Sequence, residues 1–302
     1  MIGLALLLGC GSGLDALTYQ ETWELLGINT NGALLDARFS RTNTGVLRGQ
    51  GHARIDWLFP RQTPIFYGRD ALPQDTVAGE VPGIQVGPDH ILHQSGQWDL
   101  QVSAGEFDAR IQLETQVPGP GALHWDDAQG EPDSWTVTSQ VALGELGGFL
   151  RAGRRDSVVQ GHGALLQRHG ADPPGLAGTR RSTALVLEEG LTIGIDQTGS
   201  RALAWAVVGP LAFDASTASL HRPEAGVVEL DFRPSADLVA RLHTRKPHLR
   251  RRPWEHLNWL ESKLVGLVKG IPVRRLQAAR ADITVAGESH RAKGLVVVVD
   301  YE

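Results

Sequence analysis

The chain has 302 residues, with 29 Lys and Arg against 34 Asp and Glu and a formal charge of -5, which excludes the basic footprint that a nucleic-acid partner requires. Thirty-six glycines beside one Met and one Cys describe a soluble, turn-rich and mostly β chain, long enough for two domains of roughly 100 to 150 residues each. A single cysteine also excludes an internal disulfide.

At the N-terminus, Ile2 to Leu8 is a short apolar run that ends in Leu7-Leu8-Gly9-Cys10, followed by the flexible Gly11-Ser12-Gly13. This resembles a bacterial lipoprotein signal, although no Lys or Arg precedes the apolar run. The resemblance implies lipidation at Cys10, a bacterial envelope location on the outer membrane, and contact with a membrane surface through the anchor. The run is too short to span a bilayer, which needs about 20 apolar residues. The alternative is a buried first strand with an inert thiol.

From Tyr19 to Phe59 the chain alternates and turns in short steps, and Asn29-Thr30-Asn31-Gly32 predicts a hairpin turn. Pro60 to Gly83 carries turn formers and reads as a long loop with at most a short strand. Ile84 to Val117 returns to four short strands separated by Gly-Pro-Asp, Ser-Gly and Ala-Gly-Glu, the pattern of an antiparallel sandwich or barrel. Pro118 to Ser134, with PGPG and DDAQGEPD, is the best candidate for a domain boundary. Strands resume at Trp135 and continue through a meander around Trp205, whereas Asp237 to His243 suits either strand or helix. PWEHLNWLESKLVGLVKG carries apolar residues at three- and four-residue spacing and predicts an amphipathic helix over 253–269. A basic run precedes that helix, which therefore either lies on anionic headgroups or packs outside a barrel. The closing LVVVVDYE reads as a buried strand.

The expected fold is mostly β: two consecutive lipocalin-like, or calycin-like, antiparallel β-barrel domains with one amphipathic helix near the C-terminus. The expected divisions are 1–17 as signal and tether, 18–132 as the first β domain and 133–302 as the second. A short echo supports duplication. Gln50-Gly51-His52 and Gln160-Gly161-His162 follow strand-like runs that open on Trp23 and Trp135.

Candidate chemistry is sparse. No metalloprotease, phosphate-loop, nucleophile-elbow or dinucleotide motif is present, and no cofactor is expected. Asp89, His90 and His93 suggest zinc, but on a strand the two imidazoles point to opposite faces, so no metal is expected. His52 and His162 hold matching places in the echo, where either is a proton carrier or a satisfied strand-end histidine. Asp56, Asp156 and Asp196 are the acids nearest in pattern. Trp23, Trp57, Trp98, Trp135 and Trp205 each fall in a predicted strand and suit either the lining of an apolar pocket or a plain core.

Glu21-Thr22-Trp23 with the hairpin after it, GIQVGPDHILHQSGQWDLQV followed by ARIQLETQVPG, and Gly161-His162-Gly163 together resemble a two-domain lipocalin-like superfamily. It includes AttH-like proteins, carotenoid 1,2-hydratases, ceramide-carrying survival factors and certain Diels-Alderases. In members with the fuller motif, Gly-x-Gly precedes a Tyr and an acid-containing polar run. Here the chain continues Ala164, Leu165, Leu166, Gln167, Arg168, His169, Gly170. Alkene hydration needs a strong acid in a dry pocket, and this segment does not supply one. Three readings follow. The first is a lipid-anchored protein that binds or carries a hydrophobic small molecule, with Trp23, Trp57, His52, Trp135 and Trp205 against the ligand. The second is a hydratase or isomerase of a terpenoid or polyketide, a carotenoid-hydratase-like lyase, with His162 or His169 as the acid and Asp156 or Asp196 orienting it. The third is a structural surface lipoprotein whose helix near Trp254 docks a partner.

Overall fold

A computed structural model describes residues 19–42, 50–60, 62–72, 76–77, 81–125, 135–170, 180–198, 201–209, 211–213, 218–233, 237–244, 249–251 and 272–301. Cys10 and the predicted helix 253–269 lie outside the described residues.

Every regular element among the described residues is a strand. The first eleven are β1 (Gln20–Asn29), β2 (Leu34–Thr42), β3 (Gln50–Leu58), β4 (Ile65–Ala71), β5 (Thr76–Val77), β6 (Gly83–Val86), β7 (Asp89–Gln94), β8 (Gln97–Ala104), β9 (Phe107–Trp125), β10 (Trp135–Ala152) and β11 (Arg155–Gly170). They form one antiparallel sheet in the order β4-β3-β2-β1-β11-β10-β9-β8-β7-β6-β5. The other ten are β12 (Arg180–Glu188), β13 (Leu191–Thr198), β14 (Arg201–Val208), β15 (Leu211–Phe213), β16 (Ser219–His221), β17 (Val227–Asp231), β18 (Leu238–Thr244), β19 (Leu249–Arg251), β20 (Pro272–Val285) and β21 (Glu288–Tyr301). Their order is β15-β14-β13-β12-β21-β20-β18-β17-β16, with β19 on β20. Each sheet curls into a nearly closed barrel.

The hairpin at Asn29–Gly32 forms as its residues dictate: Gly32 takes φ 82°, and Gly32 N–H donates to the Asn29 carbonyl. Two other expectations are corrected. Pro60 to Gly83 holds a seven-residue strand, β4, because Ile65 and Tyr67 alternate inward between exposed neighbours. β9, β10 and β11 share the first sheet, and β12 is the first strand of the second. The PGPG stretch is the outer part of β9, where the register against β10 shifts three times between Ser139 and Gly144. Gly119 runs so close to β10 that a Cβ there would sit 1.7 Å from the Ser139 carbonyl oxygen, so its glycine marks a bulge and not a linker. The sequence echo relates no two barrels either, since His52 on β3 and His162 on β11 belong to the same sheet.

The first barrel is filled by Trp57, Phe39, Ile55, Ile84 and Trp23 among others. A second apolar cluster fills the second barrel, and a third joins the two, with Leu26, Ala164, Trp135, Leu185, Trp205 and Val297. This explains β1, whose sequence WELLGI does not alternate. Trp23 and Leu25 face the first barrel's interior while Leu26 and Ile28 face the second barrel, so both faces are buried.

Candidate functional site

The Gly-x-Gly block of β11 lies at the crossing of the two barrels. A Cβ on Gly161 would fall 2.1 Å from the Ile28 carbonyl oxygen, and one on Gly163 would meet Leu146 and the Leu26 carbonyl at 3.1 Å. The block thus lets β11 press against β1, and it serves packing. Beyond it, alternation sends Leu165, Gln167 and His169 into the first barrel, and Leu166 and Arg168 toward the second.

The side chains facing the second barrel form a buried ionic seam. Arg168 donates to Glu24 at 2.5 Å and also reaches Asp196 of the second barrel. Arg274, from the second barrel, reaches back to Glu24 and donates to Asp36 at 2.8 Å. Arg38 links Asp36 to Asp56, and Thr183 donates to Asp196 at 2.7 Å. Glu24, Asp36, Asp56, Asp196, Arg168 and Arg274 are all 2 % exposed or less. Burial alone would raise the carboxyl of Glu24, but Arg274 and Arg168 overcome it and hold it well below the usual carboxylate range. At Asp36, burial with Glu24 and Asp56 alongside outweighs Arg274 and Arg38, and the carboxyl is raised.

The side chains facing the first barrel's interior converge differently. Glu21 and His169 are direct cross-strand partners at the start of β1 and the end of β11. They share the inward face with Trp23 and Leu165. Trp23 Nε1 donates to Glu21 at 2.8 Å, Gln167 donates to the same oxygen at 3.2 Å, and Tyr19 OH donates to the other at 3.4 Å. The Trp23 and Trp98 rings lie 5.1 Å apart, and His93 stands 5.1 Å from Trp98. His169 is half-buried. Burial lowers its pKa, Glu21 opposes the fall and His124 adds to it, so the imidazole is neutral at neutral pH. Burial, with Glu21 beside it, raises the phenol of Tyr19 far above its ordinary range. This end of the barrel gathers a carboxylate, a neutral imidazole and two indoles.

The other predicted site residues scatter. His162 sits seven residues from His169 on the same strand, about 23 Å along it and on the opposite face, with its buried Nδ1 unpartnered. Asp156 is exposed in a polar groove of about 550 Å³ lined also by Asn29, Phe59, Arg155 and Gln160. Asp196 is consumed by the seam. His52 faces outward and bonds Asp70 at 2.8 Å. Trp57 is wholly inside the first barrel, whereas Trp135 and Trp205 pack between the barrels. Asp89 accepts from Tyr67, from Arg69 at 2.8 Å and from the Ser103 amide at 3.3 Å. It latches β4 to β7 and β8, and among the described residues no group of His, Cys, Asp and Glu has metal-binding geometry. Sequence reasoning missed Glu21 and Glu24 as site residues. The signal lies in β1 itself: two carboxylates stand on either side of Trp23 in a strand that is buried along most of its length.

No family model matches the sequence, and no curated protein matches it either. Solved structures do. A candidate AttH from Nitrosomonas europaea superposes with a TM-score of 0.65 at 13% identity, over 94% of this chain and 93% of that one. CghA in complex with Sch210972 gives 0.64 at 8% identity, over 94% and 89%. Kievitone hydratase from Nectria haematococca gives 0.55 at 10% identity, over 95% and 90%. The chain therefore has the two-barrel architecture of the AttH-like fold.

Proposed function

We propose that this protein is an acid–base enzyme of the hydratase or isomerase type acting on a terpenoid or polyketide. The observation that carries the reading is the pairing of Glu21 with His169 across β1 and β11, on the inward face of an apolar barrel. The fold agrees with it: one protein of the same architecture is a hydratase and another was crystallised with Sch210972. The carrier reading has less support, because a hydratase stands among the proteins of the same architecture.

A neutral imidazole is a base and not a strong acid. That favours an alkene conjugated to a carbonyl over an isolated isoprenoid alkene, whose hydration begins with protonation. In the favoured step, His169 takes a proton from water as the water oxygen bonds to the β-carbon. The proton then returns to the α-carbon, and product and enzyme leave in their starting protonation states. Glu21, fixed by Trp23 and Gln167, orients the imidazole. Trp98 and Trp23 provide the apolar wall.

The test is incubation with conjugated terpenoid and polyketide enones in deuterated water, followed by mass spectrometry and NMR. Gain of one water, or deuterium at the α-carbon, is expected. H169N and E21Q should each lower the rate by about 10²-fold or more while retaining the thermal transition. Undiminished turnover in both variants sinks the reading. Membrane anchoring through Cys10 is a separate proposal, checked by mass spectrometry of the N-terminal peptide from the native envelope.

A further inference from the structure

Two groups of described arginines contrast. In the seam, Arg38, Arg168 and Arg274 face the four carboxylates Glu24, Asp36, Asp56 and Asp196, so positive charge there is neutralised within the fold. At the end of the second barrel the described guanidinium groups outnumber the described carboxylates. Asp300 sits there between Arg180, whose Nε donates to it at 2.5 Å, and Arg275, whose Nη1 lies 2.6 Å from its other oxygen. Arg222 comes in from beyond β16 and donates to the Ser182 hydroxyl at 3.1 Å.

These groups share a face. Val298 and Ala184 line the interior of the second barrel, and two-residue alternation puts Asp300, Ser182 and Arg180 on the same side. Ala279 packs on that interior too, which puts Arg275 on the inward face of β20. Register brings Ser182, Val298 and Arg275 into one row and Arg180 and Asp300 into the next. The short β16 leans over this end, and its Leu220 amide donates to Gln197 of β13 at 3.2 Å. Burial and then the charge of Arg180 lower the pKa of Arg222, with Asp300 acting the other way and Arg275 adding to the fall. Among the described residues that bear on Arg222, one carboxylate answers three guanidinium groups.

We propose that this end of the second barrel is an oxyanion site that takes a phosphate group, either free phosphate or a phosphomonoester headgroup. Among the described residues, three guanidinium forks around one carboxylate leave an excess of positive charge that suits a dianion. Each guanidinium also carries N–H donors beyond the single bond described, in a planar fork that matches phosphate oxygens. Ser182 adds a hydroxyl on the floor. The site is in the other barrel from Glu21 and His169, so it stands or falls independently of the proposed reaction.

The test is calorimetric titration of the full chain with inorganic phosphate, paired with flotation on phosphatidylcholine vesicles with and without phosphatidic acid. Saturable binding of phosphate is expected, weakened roughly tenfold or more by R222Q and by R180Q. R233Q, which removes an exposed arginine paired with Asp231, should bind as the unaltered protein does. Arg180 is half-exposed, so R180Q keeps the experiment readable if another variant does not fold. Flotation that requires phosphatidic acid and is lost in R222Q identifies a lipid headgroup; phosphate binding without such flotation identifies the free anion. The proposal is overturned if neither probe binds, if R222Q and R180Q both bind normally, or if R233Q weakens binding as much as they do.

Discussion

His169 shows how one residue acquires a chemical character that its neighbours in sequence do not confer. Gln167, Arg168 and His169 are consecutive and polar, yet alternation sends Arg168 into the ionic seam and His169 into the first barrel beside Glu21. The depressed pKa of His169 links protonation to stability. Its unfolded value is about 6.5 and its folded value is lower, so the unfolded chain binds the proton more readily. The stability owed to the neutral ring is fully present above the unfolded value and is lost as the pH falls through the folded one. Denaturant midpoints measured from neutral to mildly acidic pH should therefore decline, and H169N should flatten that decline. A catalytic rate that depends on the neutral ring should stay level through neutrality and fall only on the acid side of the ordinary histidine value.

At the scale of the element, β11 carries the fold through its glycines. The contact of Gly161 with β1 is backbone against backbone, whereas Gly163 meets the movable end of Leu146 as well as a carbonyl. G161A should cost more stability than G163A, with the former losing about 1–3 kcal/mol or more from overpacking, measured by urea denaturation. Equal costs would mean that β1 yields as easily as a leucine side chain does. The strand pattern itself was legible. The Asn-Gly turn and the Gly-Pro-Asp, Ser-Gly and Ala-Gly-Glu breaks locate β1, β2 and β6 to β9, because turn chemistry is local. β4 was not legible, since Pro60, Pro64 and Gly68 mask a run in which Ile65 and Tyr67 find their partners across the sheet. PGPG lies within β9 at shifts of register, and a bulge uses the same residues as a linker.

For the whole molecule, the seam joins the barrels together with the apolar cluster between them. Arg274 is buried against Glu24 and Asp36, both from the other barrel. R274A leaves those carboxylates without that partner in a site shut off from water. Breaking such a pair by removing one partner costs about 3–5 kcal/mol. Scanning calorimetry should then show the single transition lowered or resolved into two, one for each barrel. Replacing Glu24, Asp36, Arg168, Asp196 and Arg274 together by apolar residues, which leaves the Arg38–Asp56 pair intact, should restore much of the loss, because a buried network owes its cost to desolvation. If R274A leaves the transition unmoved, the apolar cluster around Leu26, Leu185 and Val297 holds the barrels together by itself.

By itself the sequence determined the class of structure. Turn residues every few positions, β-branched and aromatic strands and a hairpin signal near Trp23 dictate antiparallel barrels, because these are local preferences of backbone and side chain. Only the tertiary structure decided where one barrel ends, that His52 and His162 do not correspond, and that Glu21 meets His169 while Glu24 meets Arg168 and Arg274. Those pairings depend on register between strands more than 140 residues apart in the chain. Register is set by the burial of both faces of β1, a condition that exists only once the second barrel has packed against the first.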